Sequence, residues 1–308
     1  MVIQILKKKI SKNYVNLNFK KKIFHSTTKQ YLSKFVKRTY NKNIKILEIH
    51  NRPQYVKYLL KYYENIVLYY HNDPTSQKGS KKISDRMYLV ENLQFIIFNS
   101  NWTKKKFLTN LKLPLKFRKK LLVIHQSTDR VKVDFAKKRK IISFIGKLNT
   151  SKGYDLFGYA LHKILKKYPD WKAIIIGDEK RENLNFKQKN YKLLGFKKHE
   201  YIMNFLKKVN ICVVPSRWEE PFGRIALEAS SRGCALIISN KGGLKEATTD
   251  AIIIKKLTVK ALYDAINKII KKPNLMKKLQ RNSFKNFYLT NKNVSLKIDN
   301  YRSQILKF

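Results

Sequence analysis

The chain has 308 residues, enough for two domains of ordinary size, and 43% of them are hydrophobic, enough to build real cores. No apolar run approaches the length of about 18 residues that spans a bilayer, and the N-terminus places its lysines after its apolar stretch, the reverse of a signal peptide. Two cysteines supply neither a disulfide framework nor the spacing of a metal site. These observations argue against membrane-spanning and secreted proteins, so we expect a cytoplasmic protein.

The net charge of +48 is extreme and is spread over the whole chain. Residues 1–140 hold 34 Lys and Arg against 7 Asp and Glu, a net +27, and residues 141–308 hold 34 against 13, a net +21. Codon bias explains part of this excess, because Lys, Ile, Asn, Tyr and Phe abound while Gly is scarce. Two functional explanations stay open, namely attraction to anionic lipid on the inner face of a membrane and attraction to nucleic acid.

The first half of the chain contains short apolar runs that predict strands, with a helix over 54–63. Residues 1–43 are rich in lysine and ambiguous. The predicted strands are 44–49, 66–70, 95–98 and 121–124.

The second half alternates regularly between continuous apolar runs and helical patterns. The predicted strands are 141–145, 173–176, 192–195, 211–214, 235–238 and 251–254, and the predicted helices include 154–167, 201–208 and 259–271. Such alternation is typical of a parallel sheet covered on both faces, a doubly wound α/β domain whose ligands bind at the carboxyl ends of the strands. The basic run 132–140 is interpreted as the linker, and a last helix is predicted over 293–308. We therefore expect domains at 1–138 and 139–290, followed by a terminal helical segment at 291–308.

A helix is predicted to begin near Phe222 and to end at Gly233. Glu220 lies just before this helix, and Glu228 lies on it. Eight positions of helix separate two backbones by about 12 Å. That spacing argues against the pair of carboxylates in a glycosidase, which lie about 5–9.5 Å apart. It better suits an elongated ligand with hydroxyl groups at both ends and an anion at the helix N-terminus.

The segment Glu220-Pro221-Phe222-Gly223 with Glu228 resembles the signature of the retaining GT-B glycosyltransferases of family 4, the glycosyl transferases group 1. The preceding 214–216 and the following 242–246 resemble the family as well, and the resemblance extends over residues 40–305. It implies two Rossmann-like domains facing a cleft, with the terminal helix returning to the first. It also implies transfer of a sugar from a nucleotide-diphosphate donor to an acceptor hydroxyl, without a cofactor or an essential metal. The basic surface suggests an envelope glycan or glycolipid as acceptor.

The resemblance also implies roles for residues of the donor side. Glu220, expected with His71 to be catalytic, would bind sugar hydroxyls. Phe222 and Gly223, where the helix opens, and Glu228 would bind the donor, with Glu228 on the ribose. After the first strand of this domain, Gly146, Lys147 and Lys152 would hold the diphosphate, and Gly195 and Phe196 would lie near the nucleobase.

On the first domain, His71 follows an apolar run and resembles the family's strand-end histidine that contacts the transferred sugar. His50 ends the preceding apolar run. Its position at a strand end also indicates a contact with sugar hydroxyls, but less strongly than for His71. Ser100 or Asn101, in a segment that also resembles the family, is interpreted as a helix N-cap.

Three departures from the family pattern bear on activity. Lys147 stands where Arg is usual, which loses the two-pronged geometry of guanidinium. Residues 126–129 replace the usual Asn-Gly-x-Asp. The first glycine of the chain is Gly79, so the glycine-rich turn that follows the family's first strand is expected to be missing and the first domain to be truncated at its N-terminus.

Two alternatives to an active transferase therefore remain. One is a catalytically impaired partner protein that still binds a nucleotide sugar. The other is a basic nucleic-acid-binding protein, although no zinc-finger, ribonucleoprotein or basic-zipper pattern supports it.

Overall fold

A computed structural model describes residues 26–306. The lysine-bearing N-terminal stretch and most of the ambiguous segment 1–43 lie outside the described residues. The chain divides into two compact units. The first comprises the described residues up to 97, together with 107–122 and 301–306, and the second comprises 98–106 and 123–300.

Ten strands and eleven α-helices are present in the described part of the chain. The strands are β1 Leu47–His50, β2 Ile66–Tyr70, β3 Phe95–Phe98, β4 Leu121–Val123, β5 Arg139–Ile145, β6 Lys172–Ile176, β7 Tyr191–Leu193, β8 Val209–Val214, β9 Ala235–Ser239 and β10 Ala251–Ile254. The helices are α1 Thr27–Thr39, α2 Val56–Leu59, α3 Ile83–Asn92, α4 Asn101–Phe107, α5 Leu115–Arg118, α6 Tyr154–Lys167, α7 His199–Leu206, α8 Arg224–Ser231, α9 Val259–Lys271, α10 Pro273–Lys285 and α11 Asn291–Leu306.

The first sheet has the order β1-β2-β3-β4. Strands β1 and β2 pair in parallel, with His50 opposite Tyr69, and every residue of β2 is buried. A continuous apolar run buried on both faces is typical of a parallel sheet covered by helices.

Two helical segments of the first unit differ from expectation. The predicted helix 54–63 is a 3₁₀ turn at Pro53–Tyr55 followed by the short α2, and Tyr63 beyond it pairs its hydroxyl with Thr39 at 2.5 Å. Helix α1 falls in the segment that the sequence left ambiguous, yet its buried residues recur at helical spacing, at Leu32, Phe35, Val36 and Thr39.

The second unit is the predicted doubly wound α/β domain. Its six-stranded parallel sheet has the order β10-β9-β8-β5-β6-β7. One core layer lies between the sheet and helices α6 and α9, and another contains residues of α7 and α8. Helices α6 and α9 begin and end where the periodicity predicts, because their apolar residues follow the helical repeat.

The segment interpreted as a linker lies within the second unit, in its longer stretch 123–300. The ammonium of Lys138 donates to the backbone carbonyls of Val209 and Arg232 at 2.8 and 3.1 Å, and burial lowers the pKa of Lys138. Arg232 in turn donates to the carboxylate of Asp129. Lys138 of the basic run therefore makes partly buried contacts with the second unit.

Helix α11 begins in the second unit, and its residues from 301 onward belong to the first. There Arg302 donates to both carboxylate oxygens of Glu48 at 2.8 Å, and the Tyr301 hydroxyl also hydrogen-bonds Glu48. Tyr301 and Tyr69 pair their hydroxyls at 2.6 Å. None of the helices described is long and apolar enough to cross a bilayer.

Candidate functional site

The loop after β8 is held against the turn that precedes α6. The backbone N–H groups of Arg217 and Trp218 both donate to the Ser151 carbonyl at 2.9 Å. Gly153 closes that turn with φ +71°, and a Cβ at this position would lie 1.9 Å from the Pro215 carbonyl oxygen. Only glycine permits this approach, so Gly153 allows the turn before α6 to contact the loop after β8.

This approach pairs two predicted site residues, Lys152 and Glu220. Their charged atoms, Nζ and Oε1, lie 2.5 Å apart. The side chains are 31% and 14% exposed, so the pair is accessible but partly desolvated. A lysine expected to meet phosphate and a glutamate expected to meet sugar hydroxyls therefore lie within reach of one ligand.

The backbone of Glu220 is fixed by the glycine pair after β9. The N–H of Gly243 donates to the Glu220 carbonyl at 2.7 Å. A Cβ on Gly242, which has φ +55°, would lie 2.0 Å from the same oxygen. Gly242 also donates its N–H to the carboxylate of Glu219 at 2.6 Å. The segment 242–246 thus supports the loop that carries Glu219 and Glu220, the glutamate loop.

Helix α8 begins at Arg224, two residues later than predicted, after Gly223 in the left-handed region. Phe222 is only 2% exposed and packs in a core cluster with Leu227 and Leu244. The ring of Phe222 also lies 5.5 Å from that of His125. Its buried side chain anchors the loop, whereas the sequence placed it among the residues that bind the donor.

Glu228 lies on α8 with its side chain 2% exposed. Its Oε1 hydrogen-bonds His199 Nε2 at 2.9 Å and forms an ion pair with Arg224, whose Nε lies 2.8 Å away. No hydrogen bond formed within residues 26–306 uses Oε2, so this oxygen is the one left for a ligand. Sequence reasoning missed both partners, although Arg224 stands four residues before Glu228, the spacing of neighbours on a helix.

The remaining donor-side residues lie at the carboxyl ends of β5 and β7. Gly146 directly follows β5 and donates its N–H to the Ile176 carbonyl at 3.0 Å, and Lys147 beside it is exposed. Gly195 has open space where a Cβ would be, and Phe196 is 73% exposed. An exposed aromatic ring at a strand end is available to stack on a base. The place of Phe196 near the nucleobase stays a prediction.

Ser100 is the N-cap that the sequence predicts, since its Oγ accepts from the Thr103 N–H at 3.0 Å. The same hydroxyl donates to the Pro221 carbonyl, next to Glu220, at 2.5 Å. Glu246 caps the same helix by accepting from the N–H groups of Asn101 and Trp102 at 2.7 and 3.0 Å.

The carboxyl of Glu246 also accepts from His125 Nε2 at 3.0 Å. Burial alone would raise the pKa of Glu246, but the hydrogen bonds from His125 and from the helix amides lower it overall. These contacts, which the sequence did not reveal, join three distant segments of the second unit around the glutamate loop.

In the first unit, His50 and His71 lie at the carboxyl ends of neighbouring parallel strands. His50 Nδ1 and His71 Nε2 are 2.9 Å apart, and the two ring planes differ by 5°. Burial and the neighbouring His50 lower the pKa of His71 to about 4. Burial also lowers the pKa of His50, against an opposing effect of Glu48. The sequence pointed to each histidine separately, but not to the bond between them.

Comparisons with known proteins relate this chain to one family. The model of the family described as glycosyl transferases group 1 matches residues 125–286, more than half of the chain. An uncharacterized 42.6 kDa protein in the cps region of Klebsiella pneumoniae is 28% identical over 260 residues, which cover 80% of this chain and 65% of that protein. An uncharacterized glycosyltransferase of Methanocaldococcus jannaschii is 30% identical over 157 residues, covering 49% of this chain and 40% of that protein. The chain spans less than two thirds of the length of these relatives.

The fold is shared with solved structures. Anabaena HepE, solved in complex with UDP, superposes with a TM-score of 0.74 at 15% identity, over 89% of this chain and 82% of that one. This likeness and the two parallel sheets establish the GT-B fold. The matched segment 125–286 contains Lys152, Glu220 and Glu228, whereas Ser100, which hydrogen-bonds the loop of Glu220, lies before it. The chain belongs to the glycosyl transferases group 1 family.

Proposed function

We propose that the chain transfers a sugar from a nucleotide-diphosphate donor to an acceptor hydroxyl, with retention of the anomeric configuration. The observation that carries this proposal is the pair that Lys152, in the turn before α6, forms with Glu220 on the glycine-supported loop after β8, with the buried Glu228 on the helix that follows. Retention is supported by the resemblance of the Glu220–Glu228 signature to retaining enzymes.

The roles proposed for the two lysines and for Glu220 follow from their charges. As the bond between sugar and diphosphate breaks, negative charge develops on the leaving diphosphate, and Lys152 and Lys147 would stabilise it. Lys152 would bind phosphate while it still touches Glu220, since an ammonium has three donors. Glu220 would then accept hydrogen bonds from sugar hydroxyls.

The other donor contacts follow from position. Glu228 would accept from the ribose through Oε2, and Gly195 and Phe196 would adjoin the base. His71 in the first unit is proposed to serve the sugar. HepE has been solved with UDP and with UDP-glucose, so uridine nucleotides are the first donors to test here.

The acceptor is proposed from charge alone. A net +48 favours an acceptor carried by an anionic surface, such as an envelope glycan or glycolipid, with the protein at the cytoplasmic face of that membrane.

Thermal-shift measurements of the full chain with UDP-, GDP- and ADP-sugars test the donor assignment. One nucleotide should raise the melting temperature in a concentration-dependent manner, because a ligand that binds only the folded state stabilises it. Formation of a glycosylated product with that donor, analysed for its anomeric configuration, then tests transfer. Absence of stabilisation by all three nucleotides would refute the proposal.

A further inference from the structure

The turn that carries Lys152 is tied to the loop that follows β6. We call residues 149–152 the lysine turn and residues 177–186 the brace loop. Both follow parallel strands that are neighbours in the second sheet, β5 and β6, so they lie at the same edge of that sheet. The N–H of Leu148, just before the lysine turn, donates to the carbonyl of Asp178 in the brace loop at 3.3 Å. The two segments therefore meet close to where each begins.

The far end of the brace loop is anchored on α6, the helix that follows the lysine turn. The ring of Phe186 meets the rings of Tyr154 and Tyr159 edge-on, with centroids 5.6 and 5.3 Å apart. Aromatic rings in this arrangement attract one another beyond the effect of the area that they bury. The brace loop is thus held at both ends, and the side chains between its ends lie against the lysine turn.

Asn149 is the residue through which the brace loop reaches Lys152. Asn149 is 5% exposed, and its Oδ1 accepts from the backbone N–H of Lys152 at 3.0 Å and from the hydroxyl of Ser151 at 2.9 Å. Its Nδ2 donates to Oε2 of Glu179 at 3.0 Å. Because a carboxylate only accepts, Glu179 fixes the amide nitrogen on its own side and the amide oxygen on the side of Lys152.

Glu179 is itself held by Arg181. The guanidinium donates to both carboxylate oxygens, from Nε to Oε1 at 2.9 Å and from Nη2 to Oε2 at 2.8 Å, and the Arg181 N–H donates to Oε1 at 3.1 Å. These hydrogen bonds lower the pKa of Glu179, so the carboxyl group stays ionised and remains an acceptor for Asn149. The guanidinium also balances the negative charge of Glu179 beside a site proposed to bind an anion.

A second carboxylate of the brace loop holds the lysine turn at Thr150. Glu182 Oε2 accepts from the N–H of Thr150 at 2.8 Å, and Oε1 accepts from the Thr150 hydroxyl at 3.3 Å. The Thr150 carbonyl accepts from Nη1 of Arg217 at 2.5 Å. Both backbone polar groups of Thr150 are therefore bonded to side chains, which fixes the lysine turn two residues before Lys152.

We propose that Asn149 and Glu179 are positioning residues for Lys152, which fix its backbone so that its ammonium meets the diphosphate of the donor. This inference rests on the proposed function, in which Lys152 binds that diphosphate. The side chain of lysine is a flexible four-carbon stem, so its charge is placed only as well as the two ends of that stem are held. Glu220 holds the ammonium, and Asn149 with Glu179 holds the backbone.

Calorimetry on the full chain tests this role in binding, without turnover. UDP, GDP and ADP are titrated, and the diphosphate that binds the parent chain is then titrated into the variants. We expect Asn149→Ala and Glu179→Ala each to weaken its binding by about fivefold, roughly the effect of one lost hydrogen bond. Glu179→Gln should retain most of the affinity, because its amide oxygen still accepts from Asn149. Asn183→Ala, at an exposed position of the same loop, is the control.

A double substitution shows whether the two residues act through Lys152. In a chain that carries Lys152→Met, no ammonium is left to be positioned, so Asn149→Ala should cause no further loss of diphosphate affinity. A defect that only loosens the fold would weaken binding equally in both backgrounds. Asn149→Ser is the second variant, because its hydroxyl can still accept from the Lys152 N–H although it has no amide to bond Glu179. Glu179→Ala should therefore weaken binding in the parent chain and not in Asn149→Ser.

Urea unfolding confirms that each variant is folded, and the pair of Glu179→Ala and Asn149→Ser gives the same comparison if Asn149→Ala does not fold. Equal losses in the parent chain and in Lys152→Met would overturn this inference and leave the proposed function standing. An unchanged affinity of Asn149→Ala, beside a weakened Lys152→Met, would do the same. Failure of the parent chain to bind any of the three diphosphates would instead overturn the proposed function.

Discussion

The hydroxyl of Ser100 donates a 2.5 Å hydrogen bond to the backbone carbonyl of Pro221, the residue that follows Glu220. Ser100 is fully buried and also accepts from the Thr103 N–H. A single hydroxyl therefore both caps helix α4 and hydrogen-bonds the loop that carries Glu220. The family-like segment around Ser100 thus has a role beyond local capping.

We expect Ser100→Ala to lower the free energy of unfolding by about 1–2 kcal/mol, because it removes a cap and leaves the Pro221 carbonyl with only the longer 3.3 Å hydrogen bond from Thr103 Oγ1. Urea unfolding of the full chain measures this change. Ser295→Ala removes an exposed hydroxyl near the start of α11 and should change stability by less than about 0.5 kcal/mol. Equal effects of the two substitutions would contradict the role given to Ser100.

The Lys152–Glu220 pair predicts two separable effects. Lys152→Met should weaken binding of the nucleotide diphosphate by about 10–100-fold, since a charge-assisted hydrogen bond contributes roughly 1.5–3 kcal/mol. Glu220→Gln should lower turnover and leave nucleotide affinity nearly unchanged, because its proposed contact is with the sugar.

Calorimetry with the nucleotide and a product assay measure the two quantities. The exposed pair of Lys260 and Asp264 on α9 supplies the control, and Lys260→Met should alter neither. Loss of nucleotide affinity in Glu220→Gln, with Lys152→Met unaffected, would reverse the assignment.

Glu228→Ala should weaken nucleotide binding by roughly 1–3 kcal/mol, because the ribose loses a buried hydrogen-bonding partner. Its two partners, Arg224 and His199, are themselves about half exposed and can return to water, so the effect on folding should be smaller. Glu200→Ala, at an exposed position of α7, is the control. Calorimetric affinities that are equal for Glu228→Ala and the parent chain would exclude the ribose contact.

The histidine pair predicts how stability depends on pH. The folded-state pKa of His71 is about 4, below its ordinary value of 6.5, so the unfolded chain binds more protons between these values. Stability from this site should be complete above about pH 6.5 and be lost as the pH falls towards 4. The full shift corresponds to about 3 kcal/mol, which partial solvent contact reduces to about 1–2 kcal/mol.

Urea unfolding between pH 4.5 and 7.5 measures this slope. The lowered pKa of His50 acts in the same direction. His71→Leu should flatten the profile, and His162→Asn should leave it unchanged. A profile that is equally steep in His71→Leu would place the titrating group elsewhere.

The charge of the chain predicts binding to anionic membranes. Residues 1–140 carry a net +27, and each basic residue near an anionic surface contributes about 1 kcal/mol, screened by salt. The protein should sediment with vesicles that contain phosphatidylserine and remain free with phosphatidylcholine vesicles, and added salt should release it. Indifference to lipid charge would leave codon bias as the sufficient explanation of the composition.

Sequence alone determined the features that depend on neighbouring residues. The apolar run of β2 predicted a strand, that of β8 predicted a strand of a covered parallel sheet, and the periodicity of α6 predicted its bounds, because burial and helix formation follow local pattern. The Glu220–Glu228 signature pointed to the family for the same reason, since its residues stand together in the chain.

Tertiary structure decided which distant residues meet. Lys152 and Glu220 are 68 positions apart, and Ser100 and Pro221 are 121 apart, so no local period relates them. His50 and His71 touch only because β1 and β2 pair in a particular register. The basic run near Lys138 reads as solvated in sequence, yet backbone carbonyls of the second unit receive its ammonium. Such contacts depend on packing between segments brought together by folding, which hydrophobic periodicity does not encode.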